Sequence, residues 1–123
     1  MINKIYEISE GDKLYPEKLL KIKDRPSKIY AVGNVNLLKN KAVAIVGSRI
    51  STPYGEHYAA KFAKEIAQKG ITIVSGLAKG IDTIAHENSK KEKGKTIAVL
   101  GSGFNHIYPI ENDDLFNSII ENG

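Results

Sequence analysis

Short unbroken apolar runs alternate along this chain with longer stretches in which apolar residues recur every three or four positions. From residue 41 the runs are Ala42-Val43-Ala44-Ile45-Val46, Ile71-Thr72-Ile73-Val74 and Thr96-Ile97-Ala98-Val99-Leu100. Rich in β-branched residues and free of polar alternation, they predict strands buried on both faces. After the first run, Tyr54, Tyr58, Phe62 and Ile66, together with Ala59, Ala63 and Ala67, fall at helical spacing. They predict an amphipathic helix with one buried stripe, in which Tyr54, Tyr58 and Phe62 are core. Ser51 or Thr52 caps this helix, Pro53 takes its first turn and Gly70 stops it. A second helix is predicted over 81–91, with Ile81, Ile84 and Ala85 facing inward. A last one is predicted over 112–122, with Leu115, Phe116, Ile119 and Ile120 apolar. The order strand, helix, strand, helix, strand, helix predicts an α/β fold of parallel βαβ units with right-handed crossovers.

Residues 1–40 are less regular. A strand is predicted over 2–9 with Tyr6 and Ile8 on one face, and a short helix over 16–23 opened by Pro16. A turn at 24–27, a strand over 29–32 closed by Gly33-Asn34, and a helical turn at Leu37 and Leu38 follow. This segment is read as an N-terminal extension packed on the core, so that 1–123 form one domain. There is no internal repeat, low-complexity stretch or long linker.

Composition changes this picture little; charge changes it more. No apolar run approaches the ~18 residues of a membrane span, and no basic-then-apolar leader opens the chain. The absence of cysteine removes disulfides and thiolate metal sites and fits a cytoplasmic protein. The net charge is +4, but residues 41–95 carry ten basic and five acidic side chains, against none and four in 96–123. That excess suits a polyanionic partner, and equally a solvated lysine-rich surface.

The candidate chemistry lies where the strands end, because parallel strands deliver their following loops to one edge of the sheet. The loops are Gly47-Ser48-Arg49, Ser75-Gly76-Leu77-Ala78-Lys79-Gly80 and Gly101-Ser102-Gly103. Brought together, they offer glycine N–H groups, the hydroxyls of Ser48, Ser75 and Ser102, the guanidinium of Arg49 and the ammonium of Lys79. Two helix N-termini follow them. This is a donor set for phosphate. The stretch 101–106 nearly copies a dinucleotide fingerprint, but His106 stands where its third glycine belongs and the stretch follows the third strand, which argues against a nicotinamide site. No Gly-Lys-Ser/Thr of a P-loop is present. Asp82 and His86 share a helix face and read either as an acid–base pair or as a dipole-complementing acid with a histidine hydrogen-bonded beneath the loops. Phe104 reads either as a stacking platform for a base or as a lid packed on its loop. His57 and His106 read as surface or turn residues, and no histidine or acid falls at metal-ligand spacing; no cofactor or metal is expected.

At these same residues the chain resembles the DNA-processing protein A (DprA/Smf) family. The resemblance is carried by Ala44-Ile45-Val46-Gly47-Ser48-Arg49, Thr52-Pro53-Tyr54-Gly55, the stretch 75–82 with Ala85-His86, and the stretch 96–103 with Tyr108-Pro109. Tyr15-Pro16 with Leu19, and Ile29-Tyr30-Ala31-Val32-Gly33, match the preceding segment. It implies a three-layer Rossmann-like domain with a mainly parallel sheet. It also implies single-stranded DNA binding in natural transformation, loading of the recombinase RecA, a homodimer, and no catalytic activity. The implied DNA pocket comprises Gly47, Ser48 and Arg49 with the loops 75–80 and 101–103. The chain stops near where the family's sheet continues, so the resemblance implies a sheet incomplete at its C-terminal side. Two other readings stand beside it: a nucleotide-binding sensor or enzyme of related fold, and a fragment inactive without its missing half.

Overall fold

The computed structural model describes residue 2 and residues 4–123. Asn3, inside the predicted strand over 2–9, lies outside the described residues. What is described of that strand is β1, Tyr6–Ser9, which pairs antiparallel with β2, Lys28–Ala31. The predicted helix over 16–23 is a 3-10 helix, Glu17–Lys21, and the turn at Leu37 is another, Val35–Lys39.

Three parallel strands carry the rest: β3, Ala42–Ala44; β4, Thr72–Ser75; and β5, Thr96–Ala98. Their order is β3-β4-β5, so β4 is central. Helix α1, Pro53–Gln68, joins β3 to β4, and α2, Ile81–Lys91, joins β4 to β5. Register puts Val43, Ile73 and Thr96 in one row and Ala44, Val74 and Ile97 in the next. Because successive residues face opposite sides, Ile73, Ser75 and Thr96 look toward α1 and α2, where all three are buried. Val74 and Ile97 look the other way. There they line a groove of about 1030 Å3, shared with Phe116 and Ile120 of α3, Asp113–Asn122, and with the N-terminal segment. Helices thus lie on both sides of a parallel sheet, a Rossmann-like arrangement.

Two expectations are corrected. The first apolar run is not a buried strand: β3 ends at Ala44, it is one of the two edges of the sheet, Val43 and Ala44 are exposed, and Val46 keeps 69% of its surface. A strand with a neighbour on one side only cannot be covered as a central strand is. The buried stripe of α1 is not aromatic either. Ala59, Ala63 and Ala67 face α2 and the sheet, while Tyr54 and Phe62 remain 64% and 51% exposed, with Tyr58 between them. The small side chains permit α1 and α2 to approach closely, and the large ones take the opposite flank.

One buried side-chain polar atom has no partner among the described residues, the hydroxyl oxygen of Thr72. Thr72→Val keeps the shape and removes the desolvated hydroxyl, so it is expected to leave stability unchanged or raise it by up to ~1 kcal/mol. A clear loss in denaturant unfolding would contradict that reading.

Candidate functional site

The first two loops are joined into one rim. Strand β3 delivers 47–49 and strand β4 delivers 75–80 to the same edge. There the Ile81 N–H donates to the Ser48 carbonyl at 3.2 Å. Gly80 sits against that same carbonyl with φ +79°, a region L side chains rarely adopt. Gly47 lies where an added Cβ would stand 2.8 Å from the Ile81 side chain. Each glycine is therefore required by the close approach of its loop to the other.

Asp82 bridges the loops from below. Its Oδ1 accepts from the Gly47 N–H at 3.2 Å and its Oδ2 from the Gly76 N–H at 3.0 Å. The acid stands in the first turn of α2, where the helix dipole also favours it. His86, wholly buried, supports the second loop: its Nε2 accepts from the Leu77 N–H at 3.2 Å and its Nδ1 lies 2.6 Å from the Thr96 hydroxyl. The Leu77 donor fixes the tautomer, leaving the proton on Nδ1. Burial depresses the imidazole pKa to about 4, and the Asp82 charge opposes this only in part. Leu77 itself is held at φ +62° with its carbonyl accepting from Asn112 Nδ2 at 2.9 Å.

These bonds revise the predicted donor set. The N–H groups of Gly47 and Gly76 are taken by Asp82. The Ser75 hydroxyl is buried and donates to the Ile45 carbonyl at 2.6 Å. The Ser48 hydroxyl closes its own turn, donating to the Ile50 carbonyl and accepting from the Ile50 N–H. What the rim offers outward is the Arg49 guanidinium, without a side-chain partner among the described residues, and the N–H groups of Ala78, Lys79 and Gly80, which none of the described residues accepts. Lys79 is exposed and pairs with Glu111 at 3.3 Å. So exposed a pair contributes little and exchanges readily for another anion.

The third loop joins this rim only at its base, where the Val99 N–H donates to the Ser75 carbonyl. Gly101 and Gly103 have open space around them, and the Ser102 hydroxyl donates to the His106 carbonyl. Phe104 is half-buried and lines the groove on the far face of the sheet, with Ser102 and Gly103. Asn112 and Glu111 are the residues that sequence reading missed. In sequence Asn112 opens the last helix and looks like any cap, and nothing local shows that it reaches back 35 residues.

The class defined by these features is a Rossmann-like domain whose first two strand-end loops form one rim carrying Arg49 and Lys79. A family model described as DNA recombination-mediator protein A matches residues 7–123, and the chain belongs to that family. It is 47% identical over 109 residues to DNA processing protein DprA of Bacillus subtilis, a match covering 88% of this chain and 37% of that protein. It is 39% identical over 116 residues to protein Smf of Escherichia coli, covering 94% and 31%. The crystal structure of DprA from Streptococcus pneumoniae superposes with a TM-score of 0.89 at 39% identity, covering 98% of this chain and 42% of that one. DprA from Helicobacter pylori, described by its single-stranded DNA binding mode, superposes with a TM-score of 0.81 at 35% identity, covering 98% and 53%. The chain thus spans about a third of the length of these curated relatives. Among the described residues no helix is long and apolar enough to cross a membrane.

Proposed function

We propose that this chain binds single-stranded DNA through the rim of its first two strand-end loops. The observation that carries the reading is the contact of Gly80 and Ile81 with Ser48, which sets Arg49 and Lys79 on one edge beside the N-terminus of α2. Arg49 grips a phosphate, Lys79 exchanges Glu111 for a second, and the N–H groups of 78–80 take phosphate oxygens between them. The third loop, 101–103, extends the path, with Phe104 stacking on a base where the strand passes the sheet edge. Residues 1–123 act as one unit, with 1–40 as its extension.

A mononucleotide site is the weaker reading. The Asp82 carboxylate already occupies the N–H groups of Gly47 and Gly76, the place a bound pyrophosphate would take, and would repel it. With His86 holding the loop rather than facing the rim, we assign no catalytic step. Natural transformation, loading of RecA, a homodimer and a cytoplasmic location are proposed for the whole protein on the family resemblance.

Fluorescence anisotropy with oligodeoxythymidine tests the reading. Arg49→Ala is expected to weaken binding at least tenfold, the loss of a charge-assisted contact of about 1.5–3 kcal/mol. It should also make the salt dependence shallower by about 0.7 in log–log slope. Lys79→Ala is expected to lose less, and Glu111→Gln to bind more tightly. Unchanged affinity in both cation variants at low salt would overturn the assignment. Thermal stabilisation by a mononucleotide but not by the oligonucleotide would favour the second reading.

A further inference from the structure

In the second loop, two successive peptide planes have their carbonyls tied down from behind. The Leu77 carbonyl accepts from Asn112 Nδ2 at 2.9 Å. The next carbonyl, that of Ala78, accepts from the Thr83 hydroxyl at 2.7 Å and from the Thr83 N–H at 3.1 Å. Asn112 Nδ2 also donates to that hydroxyl at 2.8 Å, so the two ties form one unit. In a trans peptide the carbonyl and the N–H of one plane point in opposite directions. Both planes are trans. Drawing the Leu77 and Ala78 carbonyls toward Asn112 and Thr83 therefore turns the N–H groups of Ala78 and Lys79 the other way, where none of the described residues accepts from them. Leu77 is fully buried and held at φ +62°, uncommon for a bulky residue, with its own N–H taken by His86. Successive N–H groups turned to one side of such a turn form a concavity for an oxyanion. With the carbonyls facing away, a cation would find no ligand there.

We infer, resting on the DNA binding proposed above, that Asn112 and Thr83 are positioning residues: they aim the Ala78 and Lys79 N–H groups at one phosphodiester group of the bound strand. Neither side chain touches the phosphate. Asn112 acts from the far side of the loop. It is buried, and it closes a one-turn 3-10 helix, Ile110–Asn112, whose Glu111 pairs with Lys79. The same short segment therefore both aims the backbone donors and holds the lysine beside them. A division of labour follows. Arg49 and Lys79 carry charge, so their contacts release counterions and weaken with salt. An amide N–H carries no charge and releases none, so its share of the affinity persists as salt rises. Loss of the two ties should then lower affinity while leaving the salt dependence as it was, the opposite of losing a cation.

Two measurements on the whole chain test this, both with oligodeoxythymidine. In amide hydrogen exchange on the wild type, the oligonucleotide is expected to slow Ala78 and Lys79 by about tenfold or more. In anisotropy titrations over a salt series, run below the melting temperature of each variant, Asn112→Ala and Thr83→Val are expected to bind about tenfold more weakly, the loss of a hydrogen bond to a charged group. Their log–log salt slopes should equal the wild type's. Thr83→Ser, which restores the hydroxyl, is expected to recover the affinity that Thr83→Val loses. Should Asn112→Ala fail to fold, Thr83→Val and the wild-type exchange decide the matter. Folded variants that bind like the wild type, a loss of affinity accompanied by a shallower slope, or Ala78 and Lys79 amides left unprotected in the complex overturns the inference. If Arg49→Ala is weakened while the Asn112 and Thr83 variants are not, this inference alone fails. If the wild type does not bind at all, the DNA reading fails and carries it down.

Discussion

Gly80→Ala is expected to lower the melting temperature by more than 10 °C and to abolish binding to single-stranded oligonucleotide. The added Cβ would meet the Ser48 carbonyl oxygen and stand 2.8 Å from that of Arg49, both backbone atoms that no rotamer change can move aside. The residue also holds φ +79° and ψ −126°, a region essentially reserved for glycine. Strain of about 1–3 kcal/mol adds to the cost of parting the two loops. With it goes the Ile81–Ser48 hydrogen bond that ties α2 to the first loop. The sum is expected to exceed ~3 kcal/mol, in the upper tail of single substitutions. Gly101→Ala is the matched control for stability: it has nothing within 4 Å of an added Cβ, and its melt is expected to superpose on the wild type's. A Gly80→Ala protein melting with the parent would show that the loops are not locked together.

Stability is expected to fall steeply with acidification before the carboxylates titrate, because of His86. Its pKa is about 4 in the folded chain against an ordinary 6.5, held down by burial. Between those values the unfolded chain binds the proton and the folded chain does not. The contribution is therefore complete above about pH 6.5 and is lost as pH falls toward 4. A displacement of that size corresponds to something on the order of 3 kcal/mol. The buried ring is held in a fixed chain of bonds: Leu77 N–H to Nε2, Nδ1–H to the Thr96 hydroxyl, and that hydroxyl to the Ile73 carbonyl at 3.0 Å. A proton on Nε2 would face the Leu77 N–H donor to donor. Urea unfolding at several pH values between 7.5 and 4 measures the effect, and His86→Gln should flatten the curve over that window. Parallel curves for the two proteins would rule out His86 as the cause.

Much of the architecture was legible in the residues. Periodicity placed α1, α2, α3 and all three parallel strands within a few positions, since the spacing of apolar residues is a local record of which face is covered. The glycine-bearing stretches at 47, 76 and 101 were placed at strand ends for the same reason. The failures share one cause. Val43, Val46, Tyr54, Tyr58 and Phe62 have the chemistry of buried residues, and the sequence alone predicts them as core. Whether they are covered depends on what lies beside β3 and α1. The donors failed in a related way: Gly47, Ser75 and Gly76 look available until Asp82 and Ile45 are found beside them.

The order of elements, the parallel α/β class and the positions of the strand-end loops belong to the sequence alone, because hydrophobic period and turn chemistry are properties of neighbours along the chain. The tertiary structure alone decided that β3 is an edge, that alanine rather than tyrosine faces the sheet, and that Asp82, His86 and Asn112 lock the loops while Arg49 stays open. Those outcomes depend on contacts between residues up to 35 positions apart, and the geometry of such pairs exists only after the chain has folded.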